Sequence, residues 1–299
     1  PEGFVMMFIL EFENVVVTMK SCNSTKKRRW KCNALLILFL LCGCLHIHAQ
    51  ALRGTTGLLH APTADMEKDK TFKFGGNVLD ITPLRYEDFD VRYTFNYYLN
   101  ITIFPWLEVG YTCTLNYANE GSTYFPEQSW GKYTNQDRSF NFRLRAWKEG
   151  WWKSWTPQIV IGADDPGTHD SYGGGGISSR DQNGGNCFFN RYYVAATKHV
   201  TFKNIGILGV HFSFVLDRPA TWKHHNRPAI GANFQCRFPN QESLIVKALN
   251  GLDLMAEYDA RTVNIGAHYQ LWKDHINLIA ELNNGKYFSG GIYFKIHLK

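Results

Sequence analysis

Residues 91–103 read VRYTFNYYLNITI, and this stretch decides the fold. Its odd positions carry apolar or aromatic side chains, while arginine, threonine, asparagine and one tyrosine fill the even positions. Successive side chains of a β-strand point to opposite faces, so this period of two predicts a strand with one apolar and one polar face. The stretch is also longer than most strands, which have roughly 3 to 10 residues.

The same alternation recurs along most of the chain, in segments separated by clusters of Gly, Pro, Asn and Asp. It resumes after Pro105-Trp106 and ends the sequence over 290–298. Turn-forming clusters of this kind mark the ends of strands. In chain order, the pattern predicts about 12 strands, near 70–80, 91–103, 107–117, 138–148, 156–163, 188–200, 206–216, 228–238, 252–259, 261–271, 276–283 and 285–298.

The connections between these strands alternate in length. Those at 81–90, 118–137, 164–187 and 217–227 are long, and those between them are short. Long loops on one side and short turns on the other are typical of bacterial outer-membrane barrels, which also have an even number of strands. The connection 239–251 departs from the rule and is expected to hold a helical turn.

The fold class predicted for residues 70–299 is therefore all-β, a transmembrane antiparallel β-barrel of about 12 strands. Strands with one lipid-facing side are viable only in a closed barrel, where every backbone polar group is paired. A secreted carbohydrate-binding β-sandwich also has alternating strands, and it remains the alternative fold. The length of the strands, the aromatic residues near their ends and the alternating connections favour the barrel.

The N-terminal residues predict an export signal rather than a folded element. Residues 1–18 show no pattern and are interpreted as an untranslated extension, with Met19 as the start. A run of lysines and arginines then precedes the apolar stretch ALLILFLLCGCL, and Ala49-Gln50-Ala51 supplies a small-x-small cleavage pattern. Residues 19–51 are therefore predicted to be a signal peptide.

The same residues have two other interpretations, a membrane anchor and a lipoprotein signal. A membrane anchor is disfavoured because a spanning helix needs roughly 20 apolar residues, and His46 and His48 interrupt the run. A lipoprotein signal ending in Leu41-Cys42-Gly43-Cys44 stays open beside the ordinary signal peptide. We expect the mature chain to begin near Leu52, with 52–69 as a periplasmic or plug-like segment before the barrel.

The charge of the mature chain argues against a nucleic-acid partner. Removing residues 1–51 takes away six of the 32 Lys and Arg and three of the 26 Asp and Glu, which lowers the net charge from +6 to +3. The basicity of the chain is thus largely that of the signal. The mature chain keeps Cys113, Cys187 and Cys236, an odd number that is too small for a disulfide framework.

Ionisable residues of both signs fall on the predicted inward faces. They could line a charged conduit for a polyanionic or sugar-like solute, or they could form an ion-pair network that fills and stiffens the barrel. We favour the network, because charges shielded from water need partners. The candidate lumen-lining residues are Arg92, Glu108, Arg143, Arg145, Arg237, Glu257, Asp259, Arg261, Glu281 and Lys295.

No catalytic, metal or cofactor site is expected from the sequence. His211 and Ser213 share one face of a strand and faintly resemble the His-x-Ser of outer-membrane phospholipases, but no group nearby is placed to orient such a base. His224-His225 lies in a loop without a carboxylate or Cys at ligand spacing. A barrel enzyme acting on lipid or glycan is therefore disfavoured, and the chain is predicted not to be an enzyme.

Several segments resemble the YjbH-like family of outer-membrane proteins associated with exopolysaccharide production. The resemblance begins at GTTGLLHAPTA (54–64) and the Gly75-Gly76-Asn77 that follows it. It continues through NYYLNITIFPWLEVGYT (96–112), YYVAATKH (192–199), LMAEYDART (254–262) and the ending GGIYFKIHLK. Family members are taken to be β-barrels that support surface or secreted polysaccharide. No catalytic residue comes with the resemblance, and some relatives have additional domains.

The function that this resemblance implies is support of exopolysaccharide export or assembly in the cell outer membrane, as a conduit or docking component. The expected partners are outer-membrane lipid, polysaccharide and other export components, with no nucleic acid. A general solute pore and the secreted carbohydrate-binding sandwich remain the alternatives.

Overall fold

A computed structural model shows a closed barrel of twelve antiparallel strands. Each strand pairs with its neighbours in chain order, and the last strand returns to pair with the first through Thr71–Val78 and Gly290–His297. This confirms the predicted barrel and excludes the two packed sheets of a sandwich. The structure describes residues 51–83, 91–123, 125–166, 191–217, 226–239, 243–272 and 274–299. The predicted extension 1–18, the predicted signal peptide up to residue 50, Cys187 and His224-His225 lie outside them.

The strands agree closely with the segments that the alternation predicts. One correction is the start of the fourth strand, which lies before residue 138 because an irregularity between Thr114 and Asn116 lets pairing continue as far as Tyr133. The predicted helical turn is also present. The elements are β1 Thr71–Asp80, β2 Tyr93–Phe104, β3 Leu107–Tyr117, a 3-10 turn Glu127–Ser129, β4 Tyr133–Trp147, β5 Gln158–Asp164, β6 Arg191–Phe202, β7 Gly206–Asp217, β8 Asn226–Cys236, α1 Leu244–Leu249, β9 Leu252–Tyr258, β10 Val263–Leu271, β11 Ile276–Asn283 and β12 Tyr287–His297.

Along the strands the outward side chains are mainly apolar, and most of the inward ones are polar. In β2, Asn96 and Asn100 are buried, whereas Leu99 between them is 49% exposed. Phe140 on β4 and Phe212 on β7 are likewise exposed on the outside. The arrangement is the reverse of a soluble protein, and the polar interior must find its hydrogen-bond partners within the barrel.

The two ends of the barrel differ in their connections. We call the end at which β1 begins and β12 finishes the terminal end, and the opposite end the loop end. The loop end carries 118–132, but its last two turns are tight, with Ala260 and Asn284 at positive φ of 75° and 51°. Within the described part of the chain, no helix is long and apolar enough to cross a membrane.

Residues 51–67 fill the interior of the barrel, and every one of them is buried. The segment folds back on itself, because Leu52 N–H donates to the Leu59 carbonyl at 2.9 Å and Gly57 forms a bridge with Pro62. Its leucines pack with inward apolar side chains of the strands, including Met255. We call residues 51–67 the interior segment.

Candidate functional site: the charged interior

The ten candidate lumen residues separate into two groups. Glu108, Arg143, Glu257, Glu281 and Lys295 are buried inside the barrel. The other five lie nearer the ends of the strands, where Arg145, Arg237, Asp259 and Arg261 are partly buried and Arg92 is exposed. Arg92 does not line the interior because β2 begins after it, at Tyr93, and its guanidinium contacts Asp80 at 3.2 Å.

Glu108 is the centre of the first interior cluster. Arg143 Nη1 donates to Glu108 Oε2 at 3.1 Å, and Asn100 Nδ2 donates to Oε1 at 2.8 Å. The interior segment adds two more bonds, from the Thr56 N–H at 2.9 Å and the Thr56 hydroxyl at 2.7 Å. The second guanidinium nitrogen of Arg143, Nη2, donates to the Thr63 carbonyl at 2.5 Å. One buried ion pair therefore binds the interior segment at two points.

A second cluster joins the interior segment to the two strands that close the barrel. Glu67 lies 2.6 Å from Lys295 Nζ on β12 and 3.8 Å from Lys73 Nζ on β1. Lys73 Nζ also donates to the Thr56 hydroxyl at 2.6 Å, which links this cluster to the first. Sequence reasoning missed both Lys73 and Glu67. The position of Lys73 between Phe72 and Phe74 on an alternating strand could have identified it, whereas Glu67 has no such pattern.

Glu257 holds the turn of the interior segment at Leu59-His60-Ala61. Its carboxylate accepts the three consecutive backbone N–H groups, at 3.1, 2.7 and 3.1 Å. It also accepts a bond from Asn264 Nδ2 on the neighbouring strand at 3.0 Å. A carboxylate that accepts several backbone N–H groups replaces the water those groups would otherwise bind.

His60 pairs with Glu281 through Nε2, at 2.9 Å from Oε1. Burial alone would lower the pKa of His60, but the charge of Glu281 and the hydrogen bond to it outweigh burial, and the pKa is raised. The backbone carbonyl of His60 accepts a bond from Arg191 Nη1 at 2.7 Å, and Arg191 Nε contacts Asp164 at 2.6 Å. Glu257 and Glu281 thus act on the same turn from two strands.

Arg53 on the interior segment was not predicted and lies near Arg191, Asp164 and Asp259. Burial and the neighbouring charge of Arg191 lower the pKa of Arg53 to about 9. Nothing in the local sequence marks this arginine, since its neighbours follow no strand or helix period.

The pair His211 and Ser213 does not have the geometry of a nucleophile and its base. His211 is held by other groups, with Nδ1 2.9 Å from the Thr197 hydroxyl and Nε2 2.9 Å from Asn233 Oδ1. Among the described residues, the Ser213 hydroxyl has no hydrogen-bond partner. An activated serine needs its base within hydrogen-bond reach. The described residues also contain no group of three His, Cys, Asp or Glu that could hold a metal ion, and Cys113 and Cys236 are buried free thiols.

The interior is therefore occupied by an ion-pair network that includes the interior segment itself. This is the arrangement that buried charges require, because an isolated charge away from water is costly. A role of these residues in contacting a passing solute stays a prediction.

Comparisons with known proteins agree with the resemblance seen in the sequence. Residues 49–210 match the YjbH family, described as "Exopolysaccharide biosynthesis protein YbjH". An Escherichia coli K12 protein named "Uncharacterized lipoprotein YjbH" is 33% identical over 116 residues, which are 38% of this chain and 14% of that protein. The matched segment is thus a small part of the relative's length.

Among solved structures, the outer membrane protease OmpT from Escherichia coli aligns with 78% of this chain and 100% of its own, at 10% identity and a TM-score of 0.26. A likeness of that size says nothing about activity. The family match covers more than half of the sequence, and the chain belongs to the YjbH family of exopolysaccharide biosynthesis proteins.

Proposed function

We propose that this protein is an outer-membrane β-barrel that supports export or assembly of an exopolysaccharide, as a docking component whose interior segment closes the lumen. The observation that carries the proposal is the closed barrel with its polar side inward and its apolar side outward. In water such an outer face would be unfavourable, whereas in a bilayer it meets hydrocarbon. The proposed role is non-catalytic.

The distribution of aromatic residues supports the membrane location. Phe104, Trp106 and Trp147 are exposed around the terminal end, and Tyr97, Tyr133 and Tyr192 around the loop end. Between them the outward side chains are largely aliphatic or phenylalanine. Aromatic girdles at both interfaces with an apolar band between them are typical of transmembrane barrels. Under this proposal the terminal end faces the periplasm.

The filled interior supports docking over an open conduit. The interior segment binds β3, β9 and β12 through Glu108, Glu257 and Lys295, so a wide passage requires these contacts to break together. The link to polysaccharide comes from the family, whose description names exopolysaccharide biosynthesis. Because the relative is much longer than this chain, the glycan and the partner proteins belong to the proposal as well.

The test is production of polysaccharide in the native host. A strain that lacks the gene is complemented with the wild-type protein or with Glu257→Gln, and with Glu120→Gln as the matched control, since Glu120 is an exposed residue of the loop 118–132. We expect the deletion to lower secreted polysaccharide, wild type and Glu120→Gln to restore it, and Glu257→Gln to restore less at equal amounts of folded protein. Unchanged polysaccharide in the deletion strain would overturn the proposed role.

A further inference from the structure

The β4–β5 turn, residues 148–157, exposes an unusual amount of indole surface. Trp151 and Trp152 are each 67% exposed and Trp155 is 63% exposed. We call residues 148–157 the tryptophan loop. It lies at the terminal end of the barrel, beyond the last inward residues of β4. Exposed apolar clusters of this kind mark a surface that binds something else.

The exposure of these indoles is built into the loop. Gly150 N–H donates to the Thr156 carbonyl at 3.0 Å, which closes the loop. Glu149 lies 2.8 Å from Lys198 Nζ and accepts the His199 N–H at 2.9 Å. Lys198 Nζ also donates to the Ser154 carbonyl at 2.6 Å. The loop is thus fastened to β6, and the indoles project from a fixed base.

The neighbouring β6–β7 turn extends the same surface. Phe202 and Ile205 are 44% and 51% exposed, and Lys203 between them is exposed as well. Apolar side chains and a lysine therefore continue from the tryptophan loop along the rim of the terminal end.

The charge of this rim is positive. Residues 148–157 and 203–205, all of which the structure describes, contain Lys148, Lys153 and Lys203 but only one carboxylate, Glu149, which is engaged by Lys198 and His199. Lys153 Nζ lies 4.6 Å from the centre of the Trp152 ring, so the ammonium group contacts the indole. Tryptophan with lysine at one level is the combination that lies at a membrane interface, with the ring at the headgroup level and the ammonium group among the phosphates.

We propose that the tryptophan loop and the β6–β7 turn form a binding surface for anionic phospholipid headgroups. Under the proposed membrane location, on which this inference rests, the surface meets the inner leaflet of the outer membrane. The indoles insert between glycerophospholipids, and Lys153 and Lys203 select those with a net negative headgroup. A basic residue near a membrane surface favours anionic lipid by about fivefold in binding constant.

The test uses the intact barrel reconstituted in phosphatidylcholine vesicles that contain either brominated phosphatidylcholine or brominated phosphatidylglycerol at equal mole fraction. Bromine quenches tryptophan fluorescence on contact, so the extent of quenching reports which lipid lies against the indoles. The chain has nine tryptophans, and the contribution of the loop is the difference between wild type and the variant W151F/W152F/W155F.

At the headgroup beside each lysine, we expect brominated phosphatidylglycerol to be preferred about fivefold over brominated phosphatidylcholine. The variant K153Q/K203Q removes both lysines and should bring this ratio close to one. The matched control K132Q/K286Q removes two exposed lysines of the loop end and leaves the ratio unchanged. This inference is overturned if the two lipids quench the wild-type loop equally. It is also overturned if K153Q/K203Q keeps the wild-type preference for phosphatidylglycerol. Neither result would contradict the membrane location of the barrel. Absence of quenching by either lipid would contradict the membrane location itself.

Discussion

Replacing Glu108 by Gln tests whether the buried ion pair holds the interior segment in the barrel. The change keeps the shape of the side chain but removes the charge that faces Arg143, at 3.1 Å, and places an amide N–H₂ where one carboxylate oxygen now accepts bonds. Both side chains are shielded from water, with exposures of 0% for Arg143 and 1% for Glu108.

Removing one partner of a buried pair costs about 3–5 kcal/mol, because the other charge is left uncompensated. For a chain of this size, each kcal/mol shifts the melting temperature by about 2–4 °C. We therefore expect the melting temperature to fall by roughly 6–20 °C. This cost is large because the pair is buried, since an exposed ion pair would contribute about 0–1 kcal/mol.

The assay is the temperature at which the folded band, seen on gels without boiling, converts to the unfolded band. Glu120→Gln is the control, because Glu120 is exposed on the loop 118–132 and should shift the transition little. The double variant Glu108→Gln/Arg143→Met should recover part of the loss, since it leaves no unpaired charge. A decrease of less than about 2 °C in the melting temperature of Glu108→Gln would refute the reasoning.

Three further changes test the interior from other directions. Gly54→Ala should lower the free energy of unfolding by about 1–3 kcal/mol, because the added Cβ would lie 2.6 Å from the Tyr98 ring. Gly121→Ala is the control, since Gly121 also has a positive φ but a Cβ there would meet no atom within 4 Å. The difference between the two unfolding transitions separates the cost of the clash from the cost of backbone strain. The raised pKa of His60 makes its pairing with Glu281 a stabilising contribution that is complete below the unfolded pKa of about 6.5 and is lost as pH rises through the folded pKa. Between mildly acidic and alkaline pH, the free energy of unfolding should therefore fall more in wild type than in His60→Gln. An equal fall in the two proteins would refute the pairing of His60 with Glu281. Deleting 52–67 should raise the conductance of the barrel in planar bilayers, and an unchanged conductance would show that this segment does not close the lumen.

The strands could be predicted because their pattern is local. In β2 and β11, each inward residue is flanked by outward ones, so period two alone assigns the faces. The same alternation predicts that Glu108, Arg143 and Glu281 face inward. Only pairing between strands fixes those partners, and the alternation of one strand does not encode which residue lies opposite.

The interior segment could not be predicted in the same way. Its residues follow neither a helical nor a strand period, so its conformation depends on distant contacts. The bond from Leu59 to Glu257 joins residues 198 positions apart. Arg53 and Glu67 were missed for this reason, since their environment is created by strands that come much later in the chain.

The most direct test of the central claim is gel mobility of the mature protein from the membrane fraction, with and without boiling in detergent. If the protein is a closed barrel that spans the outer membrane, it should be found in the outer-membrane fraction. The unboiled sample should then show a faster-migrating band that is absent after boiling. A protein that remains in the aqueous fraction without detergent and shows no shift in mobility would contradict it.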